Sequence, residues 1–163
     1  MVIILMGVSG VGKTTVGLAL AHALGSGFFD ADDFHSAANV RKMASGQPLT
    51  PKDREPWLSA LNALVTRLLE HGEDAVLACS ALTERARQLL VQDTPPGQVR
   101  FVHLTASPQL LRERLAARTG HFMPVSLLES QLATLETPAN ALRVDVGGTP
   151  EQVVAAIREG LGR

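Results

Sequence analysis

Eight consecutive residues carry the most specific chemistry in this chain: Gly7, Val8, Ser9, Gly10, Val11, Gly12, Lys13 and Thr14. They fit the spacing G-x-x-x-x-G-K-[ST], in which glycines let the backbone turn tightly around an anion and successive N–H groups point at phosphate oxygens. At this spacing Lys13 brings a mobile positive charge to the β- and γ-phosphates of a nucleoside triphosphate. Thr14 sets its hydroxyl on a Mg²⁺ ion, which takes its other ligands from water and phosphate oxygens. All eight residues are read as an ATP-binding loop.

A second group follows at Asp30, Asp32 and Asp33. Residues two apart along an extended strand face the same side, so Asp30 and Asp32 can both look toward the loop. One carboxylate can then hold the metal shell while the other accepts the proton of an attacking hydroxyl. Asp30 is assigned with Thr14 to the metal and Asp32 to the hydroxyl; a solvated acidic turn is the plainer alternative. Further along, Arg114 and Arg118 are four apart on a helical segment and share a face, with Arg112 roughly opposite in solvent. That shared face can close over the triphosphate and neutralise charge on the transferring phosphoryl group. His121 and Phe122 follow in a glycine-containing turn, which lines an acceptor pocket or forms an exposed hinge. An acidic polyhydroxy acceptor calls for fixed cations and hydrogen-bonding side chains, which Arg54, Arg87, His35 and Ser80 can supply. Arg54 can instead pair with Asp53 or Glu55, Arg87 can lie in solvent on its helix, and His35 can cap a turn. Trp57 reads as core.

The elements that must position these groups alternate between short apolar runs and longer stretches of helical period, which predicts an α/β fold with a parallel sheet covered on both faces. Strands are expected at Val2–Met6, Gly27–Asp30, Ala75–Cys79, Val99–Leu104 and Leu142–Val146, and helices at Thr14–Leu24, Trp57–Glu70, Thr83–Val91, Pro108–Arg118 and Pro150–Leu161. Ser107-Pro108 and Thr149-Pro150 each place a hydroxyl cap before a proline at the first helical position. Two stretches fit the alternation poorly: 32–56, read as the acceptor-binding region, and 119–124 with the run after it, where a lid over about 114–124 is expected. At 163 residues and 45% hydrophobic composition, one domain spanning 1–163 is expected. A formal net charge of −1 disfavours a nucleic-acid partner. The five-residue apolar opening, too short for a signal or a membrane span, points to a soluble cytoplasmic protein. Cys79, the single cysteine, has no internal disulfide partner.

The strings around these residues resemble the gluconate kinase family of P-loop small-molecule kinases. The resemblance runs through Asp32-Asp33-Phe34-His35, Asn39, Lys42-Met43, Gly46, Pro48-Leu49, Asp53-Arg54 and Pro56-Trp57. It continues in Cys79-Ser80-Ala81-Leu82, in Arg118-Thr119-Gly120-His121-Phe122-Met123, and in Ser130-Gln131 and Leu135-Glu136. It covers nearly the whole chain. It implies a nucleoside-monophosphate-kinase type of fold with sheet order 2-3-1-4-5 and adenine near 145–150. The implied reaction is ATP- and Mg²⁺-dependent phosphorylation of D-gluconate on its 6-hydroxyl, within carbohydrate metabolism and the pentose phosphate pathway, usually by a homodimer. This chain has Ser36 where the family generally has proline, Thr83 where lysine is common, and Ala86-Arg87-Gln88 where Tyr-Arg-Asp is frequent. Two rivals remain open: a kinase for another carboxylated polyol such as shikimate, and a non-catalytic ATP-binding regulatory module.

Overall fold

The computed structural model describes residues 1–117 and 126–163. Five parallel strands, β1 (Val2–Met6), β2 (Gly27–Asp30), β3 (Ala75–Ala78), β4 (Val99–Thr105) and β5 (Leu142–Asp145), form one sheet in the order β2-β3-β1-β4-β5. The helices are α1 (Lys13–Leu24), α2 (Ala37–Ala44), α3 (Pro51–Glu70), α4 (Glu84–Leu90), α5 (Pro108–Ala117), α6 (Ser126–Thr134) and α7 (Pro150–Leu161). The expected fold class and strand order both hold.

β1 is apolar at every position because both of its faces are covered, which removes the need for polar alternation. Ile3 and Leu5 pack with Val16 and Leu20 of α1 and Ile157 of α7. Val2, Ile4 and Met6 pack on the other face with Leu61, Val65 and Leu68 of α3. β1 lies between β3 and β4 in the sheet, and a crevice opens at the carboxyl ends of these strands, where such sheets take ligands. The phosphate loop stands at that crevice. α1 starts behind Gly12, whose φ is 97°, with no side-chain cap on its first turn, so its N–H groups stay available to an anion.

The polar stretch 32–56 is more ordered than its composition predicts. It holds a 3₁₀ turn (Ala31–Phe34), then α2, and the first six residues of α3. α3 begins at Pro51 rather than Trp57 because Thr50 and Asp53 form a reciprocal cap. The Asp53 N–H donates to Thr50 Oγ1 at 3.2 Å and the Thr50 N–H to Asp53 Oδ2 at 2.8 Å. Asp53 also receives Lys42 Nζ at 2.6 Å, and its carbonyl receives Asn39 Nδ2 at 2.9 Å, which joins α2 to α3. These bonds, the one from Lys42 foremost, hold the Asp53 carboxyl down at about 2. The other helix starts lie within one residue of expectation: Ser107 Oγ receives the Leu110 N–H, and Thr149 forms a capping box with Gln152.

Because one cap fixes the helix turn that carries Arg54, Thr50→Ala is expected to cost about 1 kcal/mol of stability in urea unfolding. A loss below a few tenths of a kcal/mol would show that the cap does not hold this end of α3.

Candidate active site

The loop's glycines sit at φ values most residues avoid: 143° at Gly7 and 85° at Gly10. A Cβ at Gly7 would also lie 2.7 Å from the Leu104 carbonyl oxygen, so neither the turn nor its spacing from β4 admits a side chain. Lys13 Nζ donates to the Gly7 and Val8 carbonyls at 2.9 and 3.1 Å, folding the ammonium across the loop. Ser9 N–H donates to Gln131 Oε1 of α6 at 2.6 Å. Gln131 also lines the pocket beside the loop, although its place on a mixed helix gives no sequence signal for such a contact.

Thr14 Oγ1 donates to Asp30 Oδ2 at 2.8 Å, bringing the two expected metal ligands together. Both offer hard oxygen, the donor type Mg²⁺ takes, and neither brings nitrogen or sulfur. Asp30 Oδ1 receives the Asp32 N–H at 3.0 Å, so Asp30 caps the 3₁₀ turn on which Asp32 rides. Asp32 therefore reaches the pocket from a turn, not by strand alternation as its spacing suggests. Lys13, Thr14, Asp30, Asp32 and Ser80 line one pocket with His35 and Arg54.

In the same pocket His35 stacks on Trp57, ring centroids 4.2 Å apart and planes 14° from parallel. Trp57 is fixed by its own Nε1–H, which donates to the Ala31 carbonyl at 2.7 Å, and is both core and platform. Burial, then the charge of Arg54, pushes the imidazole down to about 4, so His35 is neutral at pH 7. Among the described residues its buried Nδ1 has no partner. Arg54 is half-buried and its pKa is lowered by burial, with Asp53 opposing the shift. Among the described residues its guanidinium has no hydrogen-bond or ion-pair partner, so the expected alternative pairing with Asp53 or Glu55 is not made.

One expected contact falls elsewhere. Arg87 is buried, its Nη1 on the carbonyls of Ala81 and Leu82 and its Nη2 on Glu84, so it shapes the pocket wall from behind instead of facing an acceptor. Arg114 donates to the Val11 and Val146 carbonyls at 3.1 and 2.9 Å, which fastens α5 to the loop and to the end of β5. It lines a second cleft with Gly12, Gly148 and Pro150, the stretch where adenine is expected, and not the acceptor pocket. Arg118 and His121, and most of the expected lid, lie outside the described residues. Ser36 and Thr83 are the N-caps of α2 and α4, and Ala86 lines the pocket. Burial pushes the Cys79 thiol up to about 12, so it stands in the wall as an unreactive group.

Residues 2–138 match the protein family described as an AAA domain, and with the loop, sheet order and pocket above this sets the class: a P-loop kinase. Curated relatives narrow it. The chain is 49% identical over 138 residues to the gluconokinase of Gluconobacter oxydans, covering 85% of this chain and 76% of that protein. It is 42% identical over 179 residues to a probable gluconokinase of Rattus norvegicus, covering 98% and 97%. The crystal structure of a gluconokinase from Sinorhizobium meliloti superposes with a TM-score of 0.86 at 44% identity, covering 99% of this chain and 91% of that one. This chain belongs to the gluconokinase family. A shikimate kinase from Aquifex aeolicus, at 20% identity and a TM-score of 0.64, shares the fold alone.

His35 gives the site a pH signature. Its folded pKa of about 4 lies below the ordinary 6.5, so between these values the unfolded chain binds a proton that the folded chain refuses. Stability therefore falls as pH drops from 6.5 toward 4. The urea midpoint of His35→Gln is expected to fall less over this window than the parent's, and an equal fall would contradict the buried neutral imidazole.

Proposed function

We propose that the protein transfers the γ-phosphoryl group of ATP to the 6-hydroxyl of D-gluconate, giving 6-phospho-D-gluconate and ADP. The observation that carries this reading is the polarity of the pocket. Its lining combines the phosphate loop and two carboxylates with a half-buried arginine and a neutral histidine Nδ1 that have no partner among the described residues. A molecule with a carboxylate and a reactive hydroxyl fits that lining. The relatives' names support gluconate among such acids.

In this mechanism Arg54 takes the acceptor carboxylate, and its planar fork favours a bidentate contact. His35, held flat by Trp57, and Ser80 hydrogen-bond the hydroxyl groups between. The 6-hydroxyl then lies near Asp32, which accepts its proton as the oxygen forms a bond to the γ-phosphorus and the bond to the β–γ bridging oxygen breaks. Lys13 exchanges its loop carbonyls for β- and γ-phosphate oxygens, and the loop N–H groups fix the β-phosphate. Thr14 and Asp30 are the residues that would hold Mg²⁺, which when bound offsets charge on the phosphate oxygens. Arg114 holds the loop against β5 beside the adenine cleft, and Arg118 and His121 are assigned to the closing lid. Among the described residues no helix is long and apolar enough to cross a membrane. A cytoplasmic homodimer belongs to the same reading.

ADP release from Mg-ATP is measured with gluconate, shikimate, other sugar acids and AMP, with Lys13→Ala as the blank. Turnover with gluconate that the blank lacks is expected. Turnover only with another acid would overturn the acceptor, and ATP binding without any turnover would favour a regulatory role. Asp32→Asn is expected to lower kcat by about 10²–10⁴-fold with ATP affinity nearly unchanged. Retention of more than about half of the parent kcat removes Asp32 from the proton-accepting role.

A further inference from the structure

The turn from β3 into α4 is where the acceptor pocket meets the phosphate loop, and its backbone is strained. Ala81 is 2% exposed and holds a φ of 44°, a left-handed conformation in which an alanine Cβ crowds the next carbonyl. Such a residue persists only where its surroundings over-determine it. Here three successive carbonyls are all engaged. Ser80 O accepts from the Gly7 N–H, at the base of the phosphate loop, at 3.2 Å. Ala81 O and Leu82 O accept from a single atom, Arg87 Nη1, at 3.0 and 3.3 Å. Leu82 O also accepts from the Glu136 N–H at 2.8 Å, and the Glu136 side chain receives the Glu84 N–H at 2.7 Å.

Arg87 is 5% exposed, and its Nη2 and Nε meet Glu84 Oε2 at 2.9 and 3.3 Å, while Glu84 itself is 58% exposed. Burying a guanidinium is unfavourable unless its donors are met, and here one carboxylate and two carbonyls meet them. The geometry points to Arg87 as a positioning residue: its fork holds Ala81 left-handed and so sets where Ser80, Ala81 and Thr83 stand in the pocket relative to the loop. This rests on reading that pocket as the acceptor site. A lysine keeps the charge but not the planar fork that spans carboxylate and carbonyls at once.

The test compares Arg87→Lys, Ala81→Gly and the double variant with the parent. Arg87→Lys is expected to raise KM for the acceptor by about tenfold or more while KM for ATP stays within about twofold. Ala81→Gly, which removes the strain, is expected to recover at least about threefold of that loss when combined with Arg87→Lys. Equal changes in both KM values, an unchanged acceptor KM in the folded variant, or no recovery in the double variant would each overturn the assignment. Amide hydrogen exchange without substrate reads the turn independently of acceptor identity. Residues 80–86 should exchange about tenfold faster in Arg87→Lys with β1 and β4 unchanged, and unchanged exchange overturns the proposal. If the parent does not phosphorylate gluconate, the acceptor reading fails by itself, while the exchange result still decides the role of Arg87. Should Arg87→Lys not fold, Glu84→Gln, which loosens the fork from its exposed side, should shift exchange in the same direction by a smaller factor.

Discussion

The hydrogen bond from Thr14 to Asp30 joins the start of α1 to the end of β2, two elements that also meet where the Phe28 ring lies against Gly17. Thr14 belongs to the first turn of α1 and is placed by the glycine turn after β1. Asp30 ends β2, two strands away in the sheet. Their contact requires that β3 lie between β1 and β2 and that all three strands run the same way. The order β2-β3-β1 thus sets this hydroxyl–carboxylate pair beside the phosphate loop. The same condition aims the 3₁₀ turn after Asp30, and with it Asp32, at the loop.

The acceptor side is built differently, from side chains that restrain one another. Trp57 is anchored on Ala31, His35 lies on Trp57, and the charge of Arg54 helps to keep His35 neutral. Asp53, next to Arg54, is engaged by Lys42 and by the cap of α3, which leaves the neighbouring guanidinium to the pocket. A half-buried cation with no partner among the described residues is unfavourable by itself.

The phosphate loop and the Asp30–Thr14 pair were legible because they rest on short-range rules, an apolar run, a glycine turn and a helix start, whereas the sheet order was expected only from the family resemblance. The start of α3 was also written in Thr50-Pro51-Lys52-Asp53, but Pro56, six positions into the helix, draws attention to the wrong boundary. Arg87 was misread for a physical reason. An arginine that satisfies backbone carbonyls across a turn has the same one-dimensional appearance as one that faces a ligand, since its partners are main-chain groups that carry no residue signature. Gln131 was invisible as a loop contact because its partner, too, is a backbone N–H.

Gly10 and Gly12 belong to the walls of both clefts, and α1 contributes to both, through Lys13 and Thr14 on one side and Thr15 and Val16 on the other. The acceptor side is furnished by α2, α3, α4 and α6, and the opposite side by α5, α7 and the end of β5. The phosphate loop is a partition whose substance is almost wholly main chain. Substitutions in the α2–α4 walls, such as those at Thr83 and Ala86, can therefore accumulate without disturbing the surfaces beyond the partition.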